Sequence, residues 1–421
     1  MKTKKISIVL IFTFALSLVS YHKSVGQPGT NGRLSVSTDF VSGGGSVEVI
    51  SSNPAVIRFK PHNEGTGGWS QVWWYFRVEG LTPGEQITLQ LDNEPAKSGI
   101  SPQAKFSYDQ EVWGLTNIGE HAKIDGKDCF VYKHTVRSKK VWFAYDLPYT
   151  PEHVEKLLMP EVKRHPGVEV FELCKTKGNR PVTAFRFNTG SNADKKYGIW
   201  LQARAHAFEA GGSWVLHELT RWLLSDDPAA TALLNCAAIT VVPIVDVDGV
   251  VEGRTGKNQA PYDHNRGWDK KPAYWIEAQS IKTMLTDLSE QNMVDLFLDF
   301  HGPGGLSHPY FILPFSDDLP YEKQRRNRAK FFEILDAKPL DNEAKLSQSM
   351  TQIHYSERPW NPDAIGGAST WVTTKTNNHN IALTLEVNMN TPLSMREGYR
   401  AEAIKLGRAI SEYFTTNFHI K

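Results

Sequence analysis

The sequence predicts two folded units: an antiparallel β-sandwich over residues 27–148, then an α/β domain over 149–421 built on a mostly parallel mixed sheet with helices on both faces. Three observations carry this. The 421 residues suit two or three domains, at roughly 150 residues each. Up to about Lys140 the apolar residues fall in short, alternating runs punctuated by turn residues, the pattern of antiparallel strands. Beyond Val141–Pro148 (VWFAYDLP) the runs become continuous apolar strands alternating with amphipathic helices, the pattern of a buried parallel sheet.

Residues 1–26 precede both units. Lys2, Lys4 and Lys5 lead into a 14-residue apolar run, Ile6 to Val19, short of the roughly 18–20 residues that span a bilayer. Small residues at Ser24 and Gly26 precede Gln27. This reads as a cleaved secretory signal, with an uncleaved membrane anchor as the other reading; cleavage, favoured because Lys23 and polar residues follow the run directly, leaves an exported, periplasmic or secreted protein with no stable membrane anchor. No Cys follows the run, so a lipidated terminus is excluded.

In the first unit, Val47–Ile50, Val56–Lys60, Trp73–Val78 and Ile87–Leu91 read as strands. Gly43-Gly44-Gly45, Asn53-Pro54 and Pro83-Gly84 mark turns between them. Trp69, Trp73 and Trp74 resemble a sugar-stacking platform, but packing between sheets and at a domain interface is the more economical reading. In the second unit the expected strands are Val182–Phe187, Tyr197–Ala203, Ala238–Val242, Val294–Phe300 and Ile381–Glu386. The expected helices are Ser213–Leu224, Trp275–Leu288, Tyr321–Leu335 and Arg396–Phe414.

Composition narrows the function classes. At 40% apolar, 11% aromatic and 22% charged, the chain is globular. There are 47 basic and 46 acidic residues; without Lys2, Lys4, Lys5 and Lys23, 43 against 46 leaves −3, so no large positive field exists and nucleic acid is excluded as a main partner. Cys129, Cys174 and Cys236 lie far apart with no CxxC, so no structural zinc site is implied; one disulfide is possible and none is required. Nothing in the sequence sets an oligomeric state.

Open α/β sheets bind ligands beyond the carboxyl ends of their strands, and that is where polar residues concentrate. After Tyr197–Ala203 comes Arg204-Ala205-His206-Ala207-Phe208-Glu209, an H-x-x-E pair ahead of Gly211-Gly212 and a helix. His301-Gly302-Pro303 follows Val294–Phe300, 92 residues beyond Glu209. Two His and one Glu with a fourth position open to water are the donor set of a catalytic zinc ion. Against this stands the plainer reading of two histidines lining a loop. Asp246-Val247-Asp248-Gly249 and Tyr262-Asp263-His264-Asn265-Arg266 follow the strand Ala238–Val242; the Arg266 fork suits bidentate capture of a carboxylate, with Asn265 beside it. Glu386 ends an apolar strand, where a carboxylate is costly to bury without a partner or a task. It either pairs with a buried Arg or moves the proton of an attacking water.

The ordered set His206-x-x-Glu209, Asp248-Gly249, Asn265-Arg266, His301 and Glu386 resembles the zinc metallocarboxypeptidase family, in particular its cytosolic-carboxypeptidase-like branch. Ser213-Trp214-Val215, Leu224-Ser225-Asp226-Asp227-Pro228, Trp74-Tyr75-Phe76 and Phe143-Ala144-Tyr145-x-x-Pro148-Tyr149-Thr150 carry further similarity to that branch, which places a β-sandwich before its catalytic domain. The resemblance implies a carboxypeptidase-like fold and one Zn²⁺ held by His206, Glu209 and His301. It implies Glu386 as general base and acid, and Asn265 and Arg266 gripping the free terminal carboxylate of a peptide. For the cation that normally stabilises the oxyanion, the interval after Gly249 offers Arg254, the preferred choice, and Lys257.

Gly366-Gly367-Ala368-Ser369-Thr370-Trp371 resembles the loop lining the specificity pocket, with Ser369 or Thr370 deepest. A neutral hydroxyl there speaks against a preference for charged terminal residues. Pancreatic-type relatives carry a tyrosine where this chain has Pro362, and the tubulin-deglutamylase activity of the cytosolic relatives does not extend to an exported protein. Two other readings share part of the pattern. An N-acyl amino acid deacylase has the same ligands but usually no preceding sandwich. A non-catalytic protein that binds peptide or glycan ends has no reason to keep His206, Glu209, His301 and Glu386 together.

Overall fold

The computed structural model describes residues 33–65, 71–92, 100–187, 195–302, 310–312, 319, 321–337, 366–389, 391, 393–416 and 418–421. The leader, Trp69 and Pro362 lie outside the described residues.

The amino-terminal unit is a sandwich of two five-stranded sheets. One has the order β1(Ser35–Ser37), β4(Tyr75–Glu79), β10(Lys140–Ala144), β6(Lys105–Ser107), β7(Trp113–Leu115). The other runs β2(Ser46–Ser52), β3(Ala55–Lys60), β5(Gln86–Asp92), β9(Lys127–Thr135), β8(Glu120–Ile124). Inward residues alternate as the sequence predicts: in β3, Ala55, Ile57 and Phe59 are buried while their neighbours are not. The sandwich is antiparallel except where β3 pairs in parallel with β5. The reason is topological, since the chain crosses to the other sheet through β4 before β5 returns in the original direction. Trp73 and Trp74 are buried. Trp74 packs in the core with its ring 4.7 Å from that of Phe59 and tilted against it, and Trp73 donates its indole N–H to the Ser42 carbonyl at 2.8 Å. Neither offers a face for a sugar.

A helical link follows, in which α1(Pro151–His153), a π-turn over Val154–Leu158 and α2(Met159–Arg164) run on from one another. The second unit holds a seven-stranded sheet of order β11(Val168–Lys175), β12(Pro181–Phe187), β14(Ala237–Val242), β13(Tyr197–Ala203), β15(Leu296–His301), β17(Ile381–Glu386), β16(Tyr310–Ile312). The four central strands are parallel and the outer three antiparallel. Every residue of β13, β15 and β17 is buried, which is why each reads as a continuous apolar run. Helices α3(Ala210–Leu223), α4(Pro228–Cys236), α5(Val247–Val251), α6(Ile276–Glu290), α7(Glu322–Asp336), α8(Ala368–Lys375) and α9(Arg396–Thr415) flank the sheet.

Helix α3 begins at Ala210, three residues before the apolar periodicity starts. Gly211-Gly212 mask the helix in the sequence. A side chain at Gly212 would come within 2.7 Å of the Phe300 carbonyl, so this glycine lets the helix lie close against β15. Cys129, Cys174 and Cys236 are all free thiols. Among the described residues no helix is long and apolar enough to cross a membrane.

Candidate active site

The carboxyl ends of the parallel strands β13, β15 and β17 bring the chemistry together. The chain leaving β13 carries His206 and Glu209, both fully buried, with Glu209 at the amino-terminal cap of α3. His301 is the last residue of β15 and Glu386 the last of β17, and the register sets these two side by side.

His206 Nδ1 lies 3.0 Å from Glu209 Oε1, His301 Nδ1 lies 2.8 Å from Glu209 Oε2, and the two Nδ1 atoms are 3.0 Å apart. Two imidazole Nδ1 atoms and a carboxylate thus converge on one buried point. Their outer nitrogens meet carboxylates: His206 Nε2 is 3.3 Å from Asp263 and His301 Nε2 is 2.9 Å from Asp299. A carboxylate beside each outer nitrogen favours the tautomer protonated there, which leaves Nδ1 free as a ligand. The donor set, its burial and these outer partners all fit a zinc ion.

The electrostatics agree. Burial would raise the Glu209 carboxyl, but His206, Lys257 and His301 hold it well below the usual range. Burial would depress the His301 imidazole, but Asp299 and Glu209 raise it well above. Glu386 goes the other way: burial raises its carboxyl, against the pull of His301. Its Oε2 is buried with no hydrogen-bond partner, and no Arg pairs with it among the described residues.

Asn265 joins the metal-ligand cluster to the pocket loop. Its amide nitrogen is 3.3 Å from His301 Nε2, and its oxygen accepts the Ala368 N–H at 2.8 Å, at the start of α8. Arg266 is exposed and donates Nη1 to the Asn265 carbonyl at 2.8 Å. Ser369 is buried, with its hydroxyl 3.1 Å from that of Thr384 on β17, two residues before Glu386. Thr370 follows it, half-buried. The two cations after Gly249 part company. Lys257 Nζ is 3.5 Å from Glu209 Oε1, whereas Arg254 is half-exposed and paired with Glu252 at 2.7 Å.

The other acids of this stretch are structural. Asp246 caps α5 through the Gly249 N–H at 2.8 Å. Asp248 binds Arg180 at 2.6 Å, Thr176 at 2.7 Å and the Gly178 N–H at 2.7 Å. The sequence reading gave no role to Asp263 or Asp299, although Asp299-Phe300-His301 held a signal: residues i and i+2 of a strand share a face.

A second cluster of metal-ligand type, Asp295, His379 and His419, sits at the opposite end of the sheet. Asp295 Oδ1 is 3.2 Å from His379 Nε2 and 2.9 Å from His419 Nε2; Oδ2 accepts the Gly198 N–H at 2.7 Å and lies 3.2 Å from Lys421 Nζ. The lysine already neutralises the carboxylate, and a divalent ion would leave excess charge in a buried place. Burial would raise Asp295, but its two histidine partners and the charges of His419 and Lys421 bring it to about 2. The cluster ties residues 418–421 to the sheet.

A donor set of two histidines and a glutamate with a buried carboxylate beside it, at the strand ends of a central parallel sheet, defines a metal-dependent hydrolase. Residues 155–416 match the zinc carboxypeptidase family, and residues 36–145 match the cytosolic carboxypeptidase N-terminal domain. The chain belongs to the zinc carboxypeptidase family, and His206, Glu209 and His301 form its His-Glu-His donor cluster. Cytosolic carboxypeptidase 2 of Xenopus tropicalis is 27% identical over 267 residues, covering 55% of this chain and 26% of that protein. Cytosolic carboxypeptidase 6 of Caenorhabditis elegans is 24% identical over 313 residues, 67% of this chain and 66% of that one. The chain thus spans about a quarter of the first relative's length and just under two thirds of the second's. The crystal structure of a metallo-carboxypeptidase from Burkholderia cenocepacia aligns with 91% of this chain and 100% of its own, at a TM-score of 0.74 and 24% identity. A metallo-carboxypeptidase from Pseudomonas aeruginosa in complex with (2-guanidinoethylmercapto)succinic acid aligns with 91% and 98%, at 0.69 and 22%. These two likenesses establish the fold.

Proposed function

We propose that this peptidase removes the last residue of peptides that end in a free carboxylate, cutting a peptide or isopeptide bond. The observation that carries the reading is Glu386: buried, with one oxygen that has no hydrogen-bond partner among the described residues, and in register beside His301 at the metal-ligand cluster. His206, Glu209 and His301 hold one zinc ion, which when bound polarises the scissile carbonyl and acidifies water to a pKa near ~7. Glu386 takes the proton of the attacking water and passes it to the departing amine. Its burial supports that role, because a raised carboxyl both accepts and returns a proton near neutrality.

Asn265 and Arg266 bind the terminal carboxylate, which restricts cleavage to chain ends. Ser369 and Thr370 line the pocket for the last side chain, and their neutral hydroxyls favour an uncharged residue. Lys257 stabilises the developing oxyanion; its place beside Glu209 and the engagement of Arg254 by Glu252 support Lys257 over Arg254. We further propose that residues 1–26 direct the protein out of the cytoplasm.

Incubating zinc-loaded protein with peptides that differ only in the last residue, and reading masses over time, tests the function. Loss of single terminal residues, abolished by a chelator and by His206→Ala, is the expected result. Internal cleavage, or none, overturns it. A fractionated culture containing the mature protein only in the cytoplasm overturns the export proposal.

A further inference from the structure

The β-sandwich reaches toward the active site through the segment that follows β3. The carboxylate of Glu64, in the segment after β3, accepts three consecutive backbone N–H groups from the loop that carries Lys257. Gly256 N is 2.9 and 2.8 Å from its two oxygens, Lys257 N is 3.2 Å away and Asn258 N 3.5 Å. Successive N–H groups converging on one anion form a nest, and here the anion comes from a residue 192 positions earlier in the chain.

The same loop is held on its other side. The buried Thr255 hydroxyl oxygen accepts the N–H groups of Val72 at 3.2 Å and Trp73 at 3.3 Å. Ser42 N–H binds the Val251 carbonyl at 2.9 Å. Gly253, at φ +66°, packs so closely on the sandwich that a side chain there would collide with the Gly43 carbonyl. On the catalytic side, the Phe208 N–H donates to the Thr255 carbonyl at 3.1 Å, one residue before Glu209. Residues 253–258 therefore run between the sandwich and the metal ligands, and Lys257 extends from that loop to within 3.5 Å of Glu209.

We infer that the β-sandwich is a working part of the catalytic centre, and that Glu64 is a positioning residue which fixes the loop presenting the Lys257 ammonium to the reacting carbonyl. The inference rests on the peptidase reading and on Lys257 as the oxyanion cation. Lys257 reaches Glu209 on a flexible four-carbon stem, so its ammonium is only as well placed as the backbone beneath it. Without the Glu64 carboxylate the three N–H groups turn to water, and the loop loses the anchor that sets the height of Lys257 above Glu209. Fixing a charged donor ahead of the reaction is what gives such a group its value, since it then need not reorganise as charge develops.

A double-mutant cycle tests this, using a peptide with a free terminal carboxylate that the wild-type enzyme cleaves. Lys257→Met is expected to lower kcat by about 10²–10³, the usual cost of losing an oxyanion donor. Glu64→Ala is expected to lower kcat at least ~10-fold with KM nearly unchanged, and the double variant to be no slower than Lys257→Met alone, since residues acting through one group are not additive. Glu64→Gln keeps one acceptor oxygen and should fall between wild type and Glu64→Ala, which guards against a folding failure of the alanine variant. Hydrogen exchange gives a readout independent of turnover. The amides of 256–258 should exchange faster in Glu64→Ala, with β14 protection and zinc content unchanged. Losses in kcat that multiply in the double variant, or unchanged exchange at 256–258, overturn the proposal. A wild-type protein that cuts no peptide sinks the peptidase reading instead, and an active Lys257→Met variant sinks the oxyanion assignment.

Discussion

Asp299 and His301 lie two residues apart on β15 and share one face, with the Asp299 carboxylate, fully buried, 2.9 Å from His301 Nε2. The strand's own alternation thus supplies both a ligand and the group that orients it. Among the described residues neither Asp299 oxygen has a hydrogen-bond partner, so the imidazole is the polar group the buried carboxylate faces at ion-pair distance. Asp299→Asn should lower zinc affinity by about 10–100-fold, the usual cost of losing such a partner. Competition with a fluorescent chelator reads the change directly. An unchanged affinity shows that the ring is held by something other than Asp299.

Glu386 contributes chemistry rather than metal binding in the proposed mechanism. Glu386→Gln keeps the shape and the strand register but has no proton to move. Zinc content should match wild type while kcat falls by about 10²–10⁴, the range for a lost general base. Retained turnover removes Glu386 from the reaction.

Arg266 distinguishes a carboxypeptidase from an amidase of broader taste. Removing it forfeits about 1.5–3 kcal/mol of charge-assisted bonding, roughly 10–100-fold in kcat/KM, for peptides ending in a free carboxylate. Amidated versions of the same peptides, poor substrates already, should be unaffected by Arg266→Ala. Equal cleavage of free and amidated ends by the wild-type enzyme refutes the exopeptidase assignment.

Far from the site, burial pushes the Glu402 carboxyl on α9 up to about 8, with Lys405 pulling the other way. The folded state keeps this proton at pH values where the unfolded chain has released it. The stabilisation is therefore complete below the ordinary glutamate pKa and is lost as pH rises through about 8. Glu402→Gln removes the titration. Its denaturation midpoint should gain on wild type between pH 5 and 9, by the equivalent of about 1–3 kcal/mol. A constant gap across that range places the folded-state pKa at its ordinary value.

Much of the fold was legible because burial writes itself into apolar runs. β13, the core of β15 and β17 are continuous in the sequence and sit where it predicts them. The sequence was weaker where a helix lacks an apolar stripe. α8 reads Ala-Ser-Thr-Trp-Val-Thr-Thr-Lys and α4 is short, although Asp227 followed by Pro228 is a start signal, and the Asp227 side chain does cap Ala229 N at 2.9 Å. The parallel β3–β5 pair was hidden because local alternation does not record strand direction. At the site, residue types and order suggested His206, Glu209 and His301, while only the folded chain separates Lys257 from Arg254. Glu64 has no local signature, since its partners are backbone groups far along the chain.

The three sulfhydryl side chains stand apart, and no covalent cross-link holds either unit together. Cohesion comes from packed apolar surface, which thiol reagents do not touch. The architecture therefore asks for no oxidising step on the way to its folded form, and a recombinant host need supply no disulfide isomerase.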